Sequence, residues 1–359
     1  MDANLQRAIQ FLQDEVLTRA QEIDLSVDAL REVLVRMCRL DLMAMKRPNQ
    51  YGGPEMSEED FRTFQEEVAR VSGSLAFLQT QHQSAVSMIS KSENEALKSA
   101  YLPKMANGER LVGIGFSQLR RPGPPIMTAV RTDEGYALNG HVPWITGWSF
   151  YPEFLIGATL PDGQAVFAVV PLTSQAGIEV SEPMELAAMG TAMTVTCQFT
   201  DFLVPNSQVA FVKPVGWIQN NDMINIALQG HFALGCAQGA LDVLKSAADK
   251  RGFAFLHDTH EFLSQELTDC RDETASAREG TWVADDQPVT ERRLVVRAWA
   301  IDLAVRCAHA AVTASSGAAN SLKHPAQRIY REALVYTVCA QTTPIMEATM
   351  KRLTRLPRS

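Results

Sequence analysis

Apolar residues recur with a helical period through the first hundred positions. An i, i+3, i+4, i+7 spacing predicts one helix face formed by Leu30, Val33, Leu34 and Met37. Ser57 and Asp60, with the spacing of a capping box, predict the start of another helix. Its inward face is predicted to carry Phe61, Phe64, Val68 and Val71. The proline and the Asn-Gly pair of YLPKMANGE end this zone near Lys104.

The hydrophobic period changes to two between Arg110 and about Pro214. EFLIGATLPDGQAVFAVVPL contains two strand candidates around a Pro-Asp-Gly turn, and TVTCQFT alternates between apolar and polar positions. About 100 residues of this pattern suit a small barrel or sandwich.

Helical periodicity returns from Trp217 onward. Four long helices are predicted in INIALQGHFALGCAQGALDVL, HDTHEFLSQELTDCR, RRLVVRAWAIDLAVRCAHAAV and PAQRIYREALVYTVCAQ. Several are apolar on all sides, which indicates a bundle buried by its own helices or by other subunits. The polar segment ETASAREGTWVADDQPVTER is predicted to be an exposed connection. The predicted units are 1–109 (α-helical), 110–215 (β) and 216–359 (α-helical bundle).

Composition narrows the class of protein. The 46% hydrophobic residues and net charge of −8 describe a globular chain without a basic nucleic-acid footprint. The N-terminus has no signal-peptide pattern, and AVFAVVPL is too short to cross a bilayer. Six scattered cysteines without a CxxC pair favour reduced thiols, so we expect a cytoplasmic protein that binds neither nucleic acid nor membrane.

Two familiar site patterns fail on spacing. GIGFSQL lacks the third glycine and the following helix of a dinucleotide-binding turn. His257, His260 and Glu261 have no second group of ligands at matching spacing, so we expect an exposed helix start and no metal site.

Two other segments suggest chemistry. In NGHVPWITGW, Asn139-Gly140 is a hairpin-turn signal, and Trp144-Ile145-Thr146 predicts a strand with an aromatic ring and a hydroxyl on one face. This pattern suits either a β core or an isoalloxazine ring. In the uncharged window Ala333–Met346, one helix is predicted to end near Ala340 and another to begin at Pro344, with Thr343 or Thr342 as N-cap. Such a start is either an ordinary cap or a phosphate site.

Taken in order, several segments resemble the acyl-CoA dehydrogenase superfamily: YGG, EEVARVSGSLAFL, YLPKMANGE, GYALNGHVPWITG, FTDFLVPNSQV and RIYREALVYTV. The resemblance covers most of the chain. It implies an N-terminal helical domain, a middle β-barrel and a C-terminal four-helix domain, with bound FAD and a homodimer or homotetramer.

The resemblance also implies residue roles. By this resemblance, the flavin-facing strands of the family are matched by Trp144 and Thr146 and by Phe116 and Ser117. Thr342 matches a threonine near the flavin's pyrophosphate. Lys250 or Arg251, with Phe253, resembles the segment that reaches the cofactor of a neighbouring subunit, and His260 and Gln265 lie on the helix that follows it. Gly317 stands where the family has a Gly-Gly pair, here reduced to Ser316-Gly317.

The sequence departs from the family at three places. SQLRRPGPP replaces the glycine-rich stretch Thr-Glu-Pro-Gly-Ala-Gly-Ser-Asp, with Arg120 and Arg121 as substitute charges, and MGTAMT lacks an arginine. Ala340 and Gln341 stand where the family's Glu-Gly, with its catalytic base, falls. The alternative position on an earlier helix is near Asn225, which is not an acid. Glu347, Glu332 and His82 remain as candidates for a relocated base.

Three functions follow from this pattern. The first is FAD-dependent oxidation of the CH–CH group of an acyl thioester, with Ala340 and Gln341 lining the substrate site. The second is a flavin-dependent monooxygenase of the same fold, for which the missing carboxylate is no obstacle. The third is a non-catalytic subunit of a hetero-oligomer.

Overall fold

The computed structural model describes residues 2–279 and 288–354. Twelve α-helices are described in these ranges: α1 Ala3–Phe11, α2 Ala20–Leu25, α3 Val27–Arg39, α4 Glu58–Val71, α5 Gly73–Ser90, α6 Glu95–Tyr101, α7 Trp217–Asn225, α8 Gly230–Arg251, α9 Ala254–Glu279, α10 Val289–Ser315, α11 Pro325–Val338 and α12 Thr343–Leu353. Eight strands lie between α6 and α7: β1 Val112–Gly115, β2 Met127–Arg131, β3 Gly135–Thr146, β4 Glu153–Thr159, β5 Ala165–Pro171, β6 Ile178–Val180, β7 Thr194–Pro205 and β8 Val209–Lys213. The predicted order of helices, strands and helices is confirmed.

The N-terminal helices begin where the polar residues predicted. The Ser57 hydroxyl accepts the backbone N–H of Asp60 at 3.1 Å, which satisfies one free donor at the start of α4. The predicted inward residues of α3 are buried, as are Phe64, Val68 and Val71 of α4. These helices therefore pack by the faces that their periodicity predicted.

The middle of the chain forms one eight-stranded sheet. Its hydrogen-bonded order is β6-β7-β3-β2-β4-β5-β8, and β1 pairs with β4 in parallel. β4 and β5 form the predicted antiparallel pair, with Gly163 (φ +82°) in the turn between them. Their side chains alternate between two apolar clusters, because successive strand residues point to opposite faces. One cluster is enclosed by the sheet, and the other is shared with α5 and α6.

The C-terminal helices pack closely on α4. A Cβ atom at Gly235 of α8 would lie 2.1 Å from the carbonyl oxygen of Glu66, and one at Gly239 would lie 2.4 Å from that of Arg70. These two glycines, one turn apart, bring the α4 and α8 backbones together. The four predicted long helices correspond to α8, α9, α10 and α11. No helix in the described ranges is both long and apolar enough to cross a membrane.

Two local predictions were wrong. Asn139-Gly140 is not a hairpin turn, because it lies inside β3, where the register with β7 shifts. The Asn139 side chain instead accepts the backbone N–H of Asp201 at 2.9 Å and donates to its carboxylate at 2.7 Å. The polar segment 273–292 is not all exposed connection, since 273–279 complete α9, with Thr274 and Ala277 buried, and α10 begins at Val289. Residues 280–287 of that prediction lie outside the described residues.

Candidate functional site

The C-terminal ends of β1 and β3 lie close together. β1 ends at Gly115, two residues before Ser117, and β3 ends at Thr146. A Cβ atom at Gly115 would lie 3.1 Å from the Ile145 side chain, and one at Gly113 would lie 3.3 Å from the Thr146 carbonyl. The two glycines of GIGFSQL therefore allow this close strand contact. The Ser117 turn, which follows β1, therefore lies near the end of β3.

Two enclosed hydroxyl groups near these strand ends have no hydrogen-bond partner among the described residues. One is Oγ of Ser117, which begins a short helical turn, and the other is Oγ1 of Thr191. Thr191 belongs to a turn whose last residue, Met193, accepts the backbone N–H of Trp148 at 3.1 Å, just past β3. A buried hydroxyl without a partner is unfavourable, so both groups suit a ligand that supplies one.

The predicted Trp144-to-Thr146 strand is confirmed as the end of β3. Trp144 is 47% exposed, so its ring is available to a ligand, whereas Thr146 is buried and its hydroxyl lies 3.0 Å from that of Thr194 on β7. Nearby, Phe116 packs edge-on against Phe167 with ring centroids 5.6 Å apart. Trp144 thus presents an accessible ring, whereas Phe116 is packed into the buried aromatic core.

The junction between α11 and α12 is the second region of the candidate site. α11 ends at Val338, two residues before the predicted end, and α12 begins at Thr343. Ala340 has φ +48°, a left-handed conformation uncommon for a residue with a Cβ atom. Thr342 is the N-cap by backbone position, but its hydroxyl makes no capping hydrogen bond. The first N–H groups of α12 therefore have no side-chain cap from Thr342.

Arg120 brings this junction and the Ser117 turn into one region. Its guanidinium donates to both carboxylate oxygens of Asp222 on α7, at 2.7 and 2.8 Å, and lies over the Phe116 ring. Burial raises the pKa of the Cys339 thiol, while the positive charges of Arg297 and Arg120 oppose that rise. Both arginines are therefore close enough to act on the junction, although the charge of Arg120 is already balanced by Asp222.

Arg297 of α10 is a site residue that the sequence analysis missed. It is 2% exposed, and its Nη2 atom donates to the carbonyl oxygen of Cys339 at 3.2 Å. Its Nε and Nη1 atoms have no partner among the described residues. The available signal was that Arg297 shares a helix face with two apolar residues, Leu294 three residues before it and Ile301 four after.

The three candidates for a relocated base are engaged elsewhere. Glu347 lies exposed on α12 and pairs with Lys351 at 2.6 Å. Glu332 is buried, where it accepts the N–H of Gly73 at 3.0 Å and pairs with Arg328 at 2.8 Å. Both ring nitrogens of His82 are bonded to backbone, and Nδ2 of Asn225 donates to the Asn221 carbonyl at 2.7 Å.

Four of the remaining predicted residues are exposed on or beside the C-terminal helices. Arg251 ends α8, Phe253 is 49% exposed and stacks on Phe255, and Gln265 is exposed on α9. Gly317 is exposed just after α10. No described hydrogen bond, ion pair or ring contact joins this set to Trp144 or Thr342 within the chain. In the described ranges, no three His, Cys, Asp or Glu residues are arranged to hold a metal ion.

Comparison with known proteins gives a consistent result. Residues 2–109 match the N-terminal domain family of acyl-CoA dehydrogenases. The chain is 22% identical to a probable acyl-CoA dehydrogenase, YngJ, of Bacillus subtilis, over 95% of this chain and 94% of that protein. The N-terminal part of the chain therefore matches the acyl-CoA dehydrogenase family, and nearly the whole chain is similar to an acyl-CoA dehydrogenase.

Other superfamily members show the same relation. The chain is 25% identical to a mitochondrial isovaleryl-CoA dehydrogenase of Pongo abelii, over 66% of this chain and 59% of that protein. Its fold is similar to that of butyryl-CoA dehydrogenase from Megasphaera elsdenii, with a TM-score of 0.79, 19% identity and 99% of each chain covered. The chain therefore shares its fold, over 99% of its length, with a solved acyl-CoA dehydrogenase.

Proposed function

We propose that the chain is an FAD-dependent oxidoreductase that acts on the CH–CH group of an acyl thioester. Similarity to acyl-CoA dehydrogenases in sequence and fold supports the reaction class. The structural observation that supports a bound cofactor is the Ser117 hydroxyl beside the end of β3, which is enclosed and has no partner among the described residues. Bound FAD supplies an acceptor for a hydride from the substrate.

The residues present fit such a cofactor. Ser117 and Thr191 offer two hydroxyl groups that lack partners, and the accessible ring of Trp144 offers a flat apolar surface. Thr342 and the uncapped start of α12 would hold a phosphate group, because free N–H groups and the helix dipole favour an anion there. Arg251, Phe253, Gln265 and Gly317 would complete the site of a second copy, in accord with their exposed positions.

Proton removal is the step for which this chain differs from its relatives. Ala340 has no acidic group, and Glu347, Glu332 and His82 are held by other contacts. A base must reach its proton directly or through one water. This observation favours, as a second candidate, a flavin-dependent monooxygenase of the same fold, in which Ala340 leaves room for a larger substrate.

Anaerobic titration of the FAD-loaded protein with short-, medium- and long-chain acyl-CoA esters tests the proposal. Bleaching of the oxidised flavin absorption by one of them is the expected result. If no ester bleaches the flavin, but the externally reduced protein reacts rapidly with O₂, the monooxygenase is supported instead. A colourless protein that takes up no FAD would overturn both and favour the non-catalytic subunit.

Substitution of Ser117 tests the cofactor site separately. In Ser117→Ala, the Kd for FAD should rise about tenfold, as expected for loss of one buried hydrogen bond to a ligand. The matched control is Ser207→Ala, which removes an exposed hydroxyl in the turn before β8 and should leave the Kd unchanged. Equal Kd values for both variants and the unmodified protein would contradict the assignment of Ser117.

A further inference from the structure

Four arginines are buried in the described part of the chain, and they differ in how their charge is balanced. Arg62 pairs with Glu58, and Arg328 pairs with Glu332. Arg47 has no carboxylate, but it donates to the carbonyl oxygens of Leu102, Pro103 and Gly52 at 3.2, 3.0 and 2.8 Å. Arg297 donates to a single carbonyl, that of Cys339. It is therefore the least satisfied of these four cations.

The surroundings of Arg297 are apolar. Leu294 and Ile301 lie on the same face of α10, and Ile301 belongs to a buried cluster with Ile226 and Ile345. Ile345 is in the first turn of α12, so the face of α10 that carries Arg297 packs toward the start of that helix. Arg297 thus lies behind the α11–α12 junction, next to the position where Ala340 replaces an acid.

An isolated charge in apolar surroundings is unfavourable unless a counter-charge approaches it. No carboxylate in the described ranges pairs with Arg297, whereas the other cation near the junction, Arg120, is already paired with Asp222. Within the described part of the chain, Arg297 therefore carries a positive charge at the junction that no carboxylate balances.

We propose that Arg297 binds a carboxylate group of the substrate and so selects an acyl thioester that carries a second, acidic end. One carboxylate balances one guanidinium, whereas a doubly charged phosphate would leave a net negative charge in the same apolar cluster. Nε and Nη1 provide the unused donors. The inference rests on the proposed function in one respect, that the junction belongs to the substrate site.

Binding of simple anions to the purified protein tests this without any turnover. At constant ionic strength, calorimetric titration with butyrate should show saturable binding, and its neutral analogue butyramide should bind at least tenfold more weakly. Arg297→Met should lose the preference for butyrate, and Arg297→Lys, which keeps the charge, should retain it. Equal binding of butyrate and butyramide would overturn the proposal. The proposal would also be overturned if the protein bound inorganic phosphate or pyrophosphate but did not bind butyrate.

The stability of the ligand-free variants separates a binding role from a structural one. Arg297→Met removes an unbalanced charge, so its Tm should equal or exceed that of the unmodified protein. The control, Arg47→Met, should lower Tm because it leaves three carbonyl groups unpaired, yet it should bind butyrate normally. An Arg297→Met protein that is less stable or does not fold would show that the guanidinium is structural and overturn the proposal.

The two proposals fail in different ways. Protein that binds butyrate through Arg297 but takes up no FAD would refute the proposed oxidoreductase and leave the anion site in place. Protein that binds FAD with the expected Ser117 dependence but ignores butyrate would refute the carboxylate site alone. With loaded enzyme, Arg297→Met should raise KM for an ω-carboxyacyl-CoA at least tenfold and leave KM for the uncharged ester of the same length unchanged.

Discussion

His82 is completely buried between two segments of backbone. The N–H of Val112 donates to Nδ1 at 2.9 Å, and Nε2 lies 2.9 Å from the Met105 carbonyl, so the neutral ring donates from Nε2. Burial lowers the pKa of His82 to about 4. The unfolded chain binds a proton near pH 6.5, so stability should be complete above that pH and fall as the pH decreases toward 4. Between pH 6.5 and 4.5 the loss should be about 2–3 kcal/mol.

Urea unfolding at pH 8, 6.5 and 4.5 measures this effect. His82→Leu should be less stable at pH 8, because two backbone groups lose their partner, but its stability should change less between pH 6.5 and 4.5. His257→Gln, at an exposed position, is the control and should follow the unmodified protein. His231, whose pKa burial also lowers, leaves a smaller slope of the same sign in every variant. A pH slope unchanged by His82→Leu would contradict this account.

At the same scale, residue type and local pattern predicted some site features and not others. Pro344 predicted the start of α12 to within one residue because proline restricts its own backbone, although the Thr342 hydroxyl makes no capping hydrogen bond. Arg297 was missed because the free-energy cost of burying its charge depends on the groups that surround it in the folded chain. Nothing in RRLVVRAWAIDL shows that its only hydrogen-bond partner among the described residues is the carbonyl of Cys339, 42 residues away.

Among elements, periodicity was the dependable signal and turn chemistry the weaker one. The strands β4 and β5 and the long helices followed from their apolar spacing. Asn-Gly at 139–140 was misread because both residues also suit a register shift within a strand, where Gly140 adopts φ +121°. The sequence alone does not distinguish these uses, since the distinction depends on the partner strand β7. Likewise, the polar residues 273–279 continue α9 because the opposite face contributes Thr274 and Ala277 to the core.

The contact between α4 and α8 gives a test at this scale. Gly235→Ala places a Cβ atom 2.1 Å from the Glu66 carbonyl oxygen, so the helices must separate, and unfolding free energy should fall by about 3 kcal/mol. Gly230→Ala, on the same helix, meets no atom closer than 3.7 Å and should be neutral or stabilise by about 0.5–1 kcal/mol. Denaturant unfolding of both variants measures the difference. Equal stabilities would show that α4 and α8 can separate at no cost.

At the scale of the whole molecule, the candidate site draws on two parts of the chain, the sheet and the C-terminal helices. The sheet supplies Ser117 and Trp144, α7 supplies Asp222, and the last helices supply Arg297 and the α11–α12 junction. The segments are far apart in sequence, so their motifs predicted separate pieces, while their meeting depends on packing. The unit boundaries at 109 and 215 stay predictions.

The exposed aromatic residues at the α8–α9 corner give the last prediction. Phe253, Phe255 and Phe262 are 49%, 63% and 68% exposed, a patch of apolar surface that a second copy of the chain would cover. We expect a homodimer or homotetramer by sedimentation velocity. Phe262→Asp should shift it toward monomer and raise the Kd for FAD, because Arg251 and Gln265 of a second copy would no longer reach the cofactor. Leu17→Asp, at an exposed apolar position in the N-terminal helices, should change neither property. An unmodified protein that is monomeric at all concentrations yet binds one FAD per chain would contradict this assembly.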